Sequence, residues 1–149
     1  MNGGIQKRIA NQKDGFQKTD VSNNKLKFSF EFFDHTDEDV CPPEFPSDYT
    51  QNLMRRLRAL SKWSVEKFQK NYDATIRNHM HEWEKTDRAG FGKLKGEFRD
   101  YDGWQFCLEN PSYGRVHGIM HSDTFFVIWL DFHHRVYPNE NYANKRQGA

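Results

Sequence analysis

Cysteine is nearly missing from this 149-residue chain: Cys41 and Cys107 are the only two, far apart and in no CxxC pair. No disulfide framework is available, and the plain expectation is a reduced, cytoplasmic protein. Long apolar runs are missing too. Nothing approaches the ~18 consecutive apolar residues of a membrane helix. Residues 1–15 lack the apolar stretch of a signal peptide, so no membrane partner is expected. No P-loop, GxSxG, HExxH or Rossmann glycine pattern occurs, and no motif calls for a cofactor. Lys and Arg are wholly absent from residues 28–50, where seven acids stand.

What is present compensates in part. Hydrophobic residues reach only 36%, yet aromatics reach 15%, with 13 Phe and 4 Trp. Each buried aromatic removes roughly 150–250 Å² from water, so a few can carry a core. Charge is unevenly spread around a net +1: residues 1–27 carry +4, residues 28–50 carry −7, residues 51–100 carry +5 and residues 101–149 carry −1. A basic middle beside an acidic loop suggests a charged face and a segment able to shield it.

One domain is expected, with residues 1–24 as a basic arm, 25–138 as the folded unit and 139–149 as a polar tail. Leu26, Phe28, Phe30 and Phe32 alternate with polar residues, predicting a strand over Lys25–Phe33. Residues 34–48, with three prolines, read as a loop. Ser47 or Asp48 is placed to cap a helix whose stripe is Leu53, Met54, Leu57 and Leu60. Ser61 or Ser64 begins a second helix, Val65 to about Tyr72. Residues 77–83 fit a strand or a helix end equally. Three strands follow at Trp104–Glu109, Arg115–Met120 and Phe125–Asp131. The prediction is α+β: an antiparallel sheet, made of the N-terminal strand and a C-terminal three-strand meander, packed on a helical hairpin.

Four of the seven histidines fall within residues 117–134. Alternation sets Arg115, His117 and Ile119 on one sheet face, expected to stay open while the other packs on helices. Gly118 invites close approach of another backbone. Of His133 and His134 only one can join that face, and His134 is preferred. Tyr137 supplies a hydroxyl. Arg77, His79 and His81, if extended, point the same way. His-x-His is compatible with metal, but spacing offers no third ligand, so no metal site is expected. Arg55, Arg56, Arg58 and Lys62 on the first helix, with Arg135, are the candidate phosphate contacts. Tyr101, Trp104 and Tyr113 are candidate platforms for bases. Any one of these residues is equally at home as an ordinary surface or core side chain.

The order strand–helix–helix–three strands, together with Gly114–Gly118 and the ending His134-Arg135-Val136-Tyr137, resembles the RelE/ParE toxin fold. That fold includes ribosome-associated mRNA interferases. The chain departs from it in length, in its acidic loop and in its near-neutral charge. The resemblance implies a toxin-like endoribonuclease acting on mRNA, with ribosome-bound mRNA and an antitoxin protein as partners. A base would take the 2′-hydroxyl proton, a cation would stabilise the phosphorane, and an acid would protonate the leaving 5′-oxygen, without metal. His117 and His134 are the expected proton carriers and Arg115 the cation, with Arg77, His79 and Tyr137 behind them. The rival expectation is a non-catalytic nucleic-acid- or protein-binding module of a toxin–antitoxin or phage-defence system.

Overall fold

The computed structural model describes residues 20–138 apart from Lys93 and Lys95. Most of the expected arm (residues 1–19) and the whole expected tail (139–149) lie outside the described residues. Residues 21–24 are not arm-like. Ser22 and Asn24 offer their carbonyls to the backbone N–H of Glu66 and Val65, at 3.0 and 2.9 Å.

Among the described residues the strands and α-helices are β1 (Lys27–Ser29), α1 (Tyr49–Leu60), α2 (Val65–Lys70), β2 (His79–Met80), β3 (Gly103–Cys107), β4 (Arg115–His121) and β5 (Thr124–Asp131). One five-stranded sheet holds all strands in the order β1-β5-β4-β3-β2. The architecture is α+β, as expected, with two corrections. The sheet is mixed, because β1 runs parallel to β5. A fifth strand, β2, adds a far edge beside β3.

Local chemistry explains the shortened first strand. The Ser29 hydroxyl accepts from Glu31 N–H, and Phe33 N–H bonds to Phe30 C=O. That turn interrupts the alternating run after Ser29. The chain then rejoins β5, where Asp34 N–H donates to Ile128 C=O at 2.9 Å.

The helices form much as the periodicity suggests. Ser64 caps α2, accepting from Lys67 N–H at 3.1 Å. Asp48 stands at the N-cap of α1 without a side-chain capping bond. Its carboxylate instead accepts the Tyr113 hydroxyl at 2.7 Å. Arg56 of α1 reaches the sheet end and donates to the carbonyls of Cys107, Thr75 and Leu108.

Phe68 of α2 packs on Trp104, Phe106 and Phe125, which identifies the helix-covered sheet face. Between β4 and β5 the register jumps: His117 opposes Trp129 while Gly118 opposes Val127. Ile128 is therefore an extra residue, a β-bulge. A Cβ on Gly118 would run into the Phe126 carbonyl oxygen, so the glycine admits the bulged strand. The bulge also breaks the simple alternation of β5. Phe126 now opposes Ile119 and Trp129 opposes His117, so both share a face despite being three residues apart.

Candidate functional site

Cross-strand register sets two rows on the sheet face away from Phe68. One row is Cys107, Arg115 and Asp131; the next is His79, Gln105, His117 and Trp129. This is the face expected to lie open. It is closed. Segment 81–91 folds over it, with the His81 ring stacked on Trp83 (4.4 Å) and Phe91 set edge-on against Trp129 (4.8 Å). Tyr137 lies flat beside His81 at 5.9 Å, its hydroxyl accepting from Glu82 N–H at 2.7 Å. His117 is 0% exposed, Arg115 2% and His134 3%.

Polar groups taken out of water need partners. Asp131 closes β5 and accepts the backbone N–H groups of Arg135 (2.8 Å) and Val136 (2.9 Å). Its Oδ2 lies 3.4 Å from His117 Nε2, an electrostatic contact longer than a well-formed hydrogen bond. His117 Nδ1 is 2.7 Å from His81 Nε2. A carboxylate only accepts, so the His117 proton belongs on Nε2, and Nδ1 of the neutral ring must then accept from His81 Nε2–H. The remaining lone pair, on His81 Nδ1, is buried without a hydrogen-bond partner. It faces Gly103, where a Cβ would collide with it.

This Asp131–His117–His81 chain is sealed at both ends. Burial pushes the His117 imidazole below its ordinary value, against the opposing pull of Asp131. Burial, reinforced by His117 and His79, pushes His81 down to about 2. Both rings are neutral at pH 7. The chain fastens segment 81–91 and the turn after β5 to the sheet, and presents no nitrogen to an outside phosphate.

Other expected site residues are held by partners of their own. Arg115 donates from Nη1 to the carbonyls of Pro111 and Gly114. Burial, and the like charge of Arg77, depress its pKa. His134 occupies a left-handed turn, φ 59°, just past β5. His133 is half-buried against Phe132. Arg77 is half-buried with φ 57°, so the strand cannot extend back through it and starts at His79.

His79, like His81 and His133, is partly exposed. Its Nδ1 lies 2.7 Å from Met80 C=O, which makes Nδ1 the protonated nitrogen and Nε2 the basic one. Tyr137 and Tyr72 flank the ring at 6.0 and 6.5 Å, and Tyr72 is 62% exposed. Among the described residues no group of three or more His, Cys, Asp or Glu is arranged to hold a metal ion.

The candidate phosphate contacts divide in the same way. Arg56 is engaged by its three carbonyls. Arg55 pairs with Glu109 at 3.1 Å and Arg135 with Asp39 at 3.0 Å. Arg58 is exposed on the side of α1 opposite its buried stripe, and Lys62 is exposed in the turn after the helix. Lys67, also exposed, lies 4.2 Å above the Trp63 ring. The expected base platforms are not open: Trp104 is buried on Phe68, Tyr101 stacks on His121, and Tyr113 is tied to Asp48. The acidic loop docks at home, through Asp37 and Asp39 to Arg88 and through Asp39 to Arg135.

The sequence reading missed Asp131 as the hub. An aspartate on the last residue of a strand, with two N–H groups four and five residues on, was the available signal. Among the described residues no helix is long and apolar enough to cross a membrane. No family model, no curated protein and no solved structure matches this chain.

Proposed function

We propose that this protein is a non-catalytic module that binds single-stranded RNA through the exposed face of its helical pair. The observation carrying this reading is the contrast between two sets of side chains. Arg115, His117 and His134 are buried, while Arg58, Lys62, Lys67 and Lys70 are exposed, Lys67 over the Trp63 ring and Lys70 3.6 Å from Glu66. Cations that track a phosphate chain, interleaved with aromatic rings, suit single strands of any sequence.

Anisotropy of a labelled RNA oligonucleotide, followed between about 50 and 200 mM salt, tests it. With about three phosphate contacts the log–log slope is expected near −2. Joint Arg58→Glu and Lys62→Glu reversal is expected to weaken binding by at least about tenfold. Affinity that ignores both salt and charge reversal would sink the reading.

A second reading, the toxin-like endoribonuclease of RelE/ParE type, is favoured by one observation: a basic, partly exposed His79 Nε2 close in sequence to Arg77. There His79 would take the 2′-hydroxyl proton and Arg77 would hold the phosphorane charge. RNA cleavage, with or without translating ribosomes, that disappears in His79→Ala while binding persists would establish it over the module. An antitoxin would then be the protein partner to seek.

A further inference from the structure

The chain enters the described structure along the basic helical face. Leu26 N–H donates to Trp63 C=O at 3.0 Å, and Lys25 Nζ to Lys62 C=O at 3.1 Å. Asn24 and Ser22 lend their carbonyls to Val65 and Glu66, filling two of the N–H groups that the first turn of α2 leaves unpaired. Ser22 N–H then donates to Asp20 Oδ1 at 3.0 Å. The Asp20 carboxyl is held below its ordinary value by Ser22 and, to a smaller extent, by the charge of Lys70. From Leu26 back to Asp20 the backbone therefore passes Lys62 and Trp63, crosses the start of α2 and comes out within reach of Lys70, the last residue of that helix.

Residues 1–19 continue from that point, and they carry the same two residue types as the helical face. Lys7, Arg8, Lys13 and Lys18 stand against a single acid, Asp14, and Phe16 lies between two of the cations. Lys18 is two residues from Asp20, so its Cα is tethered within about 7 Å of that residue. Four cations and one acid, a charge of +3, are thereby attached to a surface where Arg58, Lys62, Lys67 and Lys70 outnumber Glu66 and Asp20. Like charges held together repel, and a polyanion shared between them removes the repulsion. A single strand also offers bases to Phe16, as it does to Trp63. The acidic loop is the rival destination for this segment, but its Asp37 and Asp39 are already taken by Arg88 and Arg135. We infer that residues 7–18 form the second half of the RNA interface, carrying one phosphate chain past Lys70 from the exposed face of α1 and α2. The inference rests on the RNA-binding reading and adds to it a longer footprint than the helices alone can cover.

Anisotropy with the full-length chain and labelled oligouridines of about 4 to 16 nucleotides tests it. About three contacts on the helical face give a log–log salt slope near −2, and four more from residues 7–18 steepen it to about −5. Joint Lys7→Gln, Arg8→Gln, Lys13→Gln and Lys18→Gln substitution is expected to return the slope to about −2 and to shorten the oligonucleotide at which affinity stops rising. A lower net charge by itself weakens all lengths alike, so the shortening reports contact. Phe16→Ala leaves the charge unchanged and is expected to weaken binding at least about fivefold. A quadruple variant with the wild-type slope and length dependence, beside an Arg58→Glu/Lys62→Glu protein that binds weakly, overturns the inference and leaves the helical reading standing. Binding that survives the helical reversal but vanishes in the quadruple variant overturns both. Tighter binding by the quadruple variant assigns residues 7–18 to the acidic loop and overturns the inference too.

Discussion

A histidine shut between a sheet and three rings has lost its usual job near neutral pH. His117 and His81 have folded pKa values below the ~6.5 of an unfolded histidine. Between the two values the unfolded chain binds more protons than the folded one. Stability is therefore full above about pH 6.5 and falls as pH drops, by up to about 1.4 kcal/mol per unit for each ring. Proton NMR is expected to show the His81 imidazole still neutral at pH 5 and the His117 imidazole titrating below its ordinary value. A titration midpoint near 6.5 for either buried ring contradicts the closed face. Gly118 gives a second residue-level outcome. Gly118→Ala is expected to cost about 1–3 kcal/mol in urea unfolding, because the Phe126 carbonyl occupies the space of the new methyl.

Among the elements, the turn after β5 hangs on one carboxylate. Asp131→Asn keeps one acceptor oxygen but turns an N–H group toward a backbone donor that the carboxylate had satisfied. About 1–3 kcal/mol of stability is expected to go, with faster hydrogen exchange at the amides of Arg135 and Val136. Helices and the three C-terminal strands were legible in the sequence because their signals are local: the Leu53–Leu57–Leu60 stripe, the Ser64 cap, the turns at 110–114 and 121–124. The parallel pairing of β1 was not legible. Nothing within residues 27–29 says which distant strand they join, or in which direction. The bulge at Ile128 was also hidden, and with it the placing of Trp129 beside His117.

At the scale of the molecule, the sequence placed His117 and Arg115 on one face but did not reveal its cover. Residues 77–91 carry weak periodicity, and the cover is assembled from Trp83, Phe91 and Tyr137, which are remote from each other along the chain. Charge spread was easier to read. The acidic loop does meet cations, yet they are Arg88 and Arg135 rather than the helical face. Asp37→Asn with Asp39→Asn raises the net charge by two units from +1 and releases both arginines. Surface pairs of this kind, here partly to half exposed, contribute about 0–1 kcal/mol each, so melting is expected to move little. Under the RNA-binding reading, affinity at low salt is expected to rise by about a few-fold. Unchanged affinity would confine the interaction to the helices.

Pairing of β1 with β5 also sets a timetable. Thr124, the neighbour of Lys27 in the sheet, is encoded 97 residues after it. At about 5–20 residues per second that is a delay of roughly 5–20 s. Throughout it Phe28 lacks the Phe125 ring, and for most of it the Phe106 ring, that it will finally touch. The first strand among the described residues is among the last to be seated, and this nascent chain must wait with an aromatic edge uncovered.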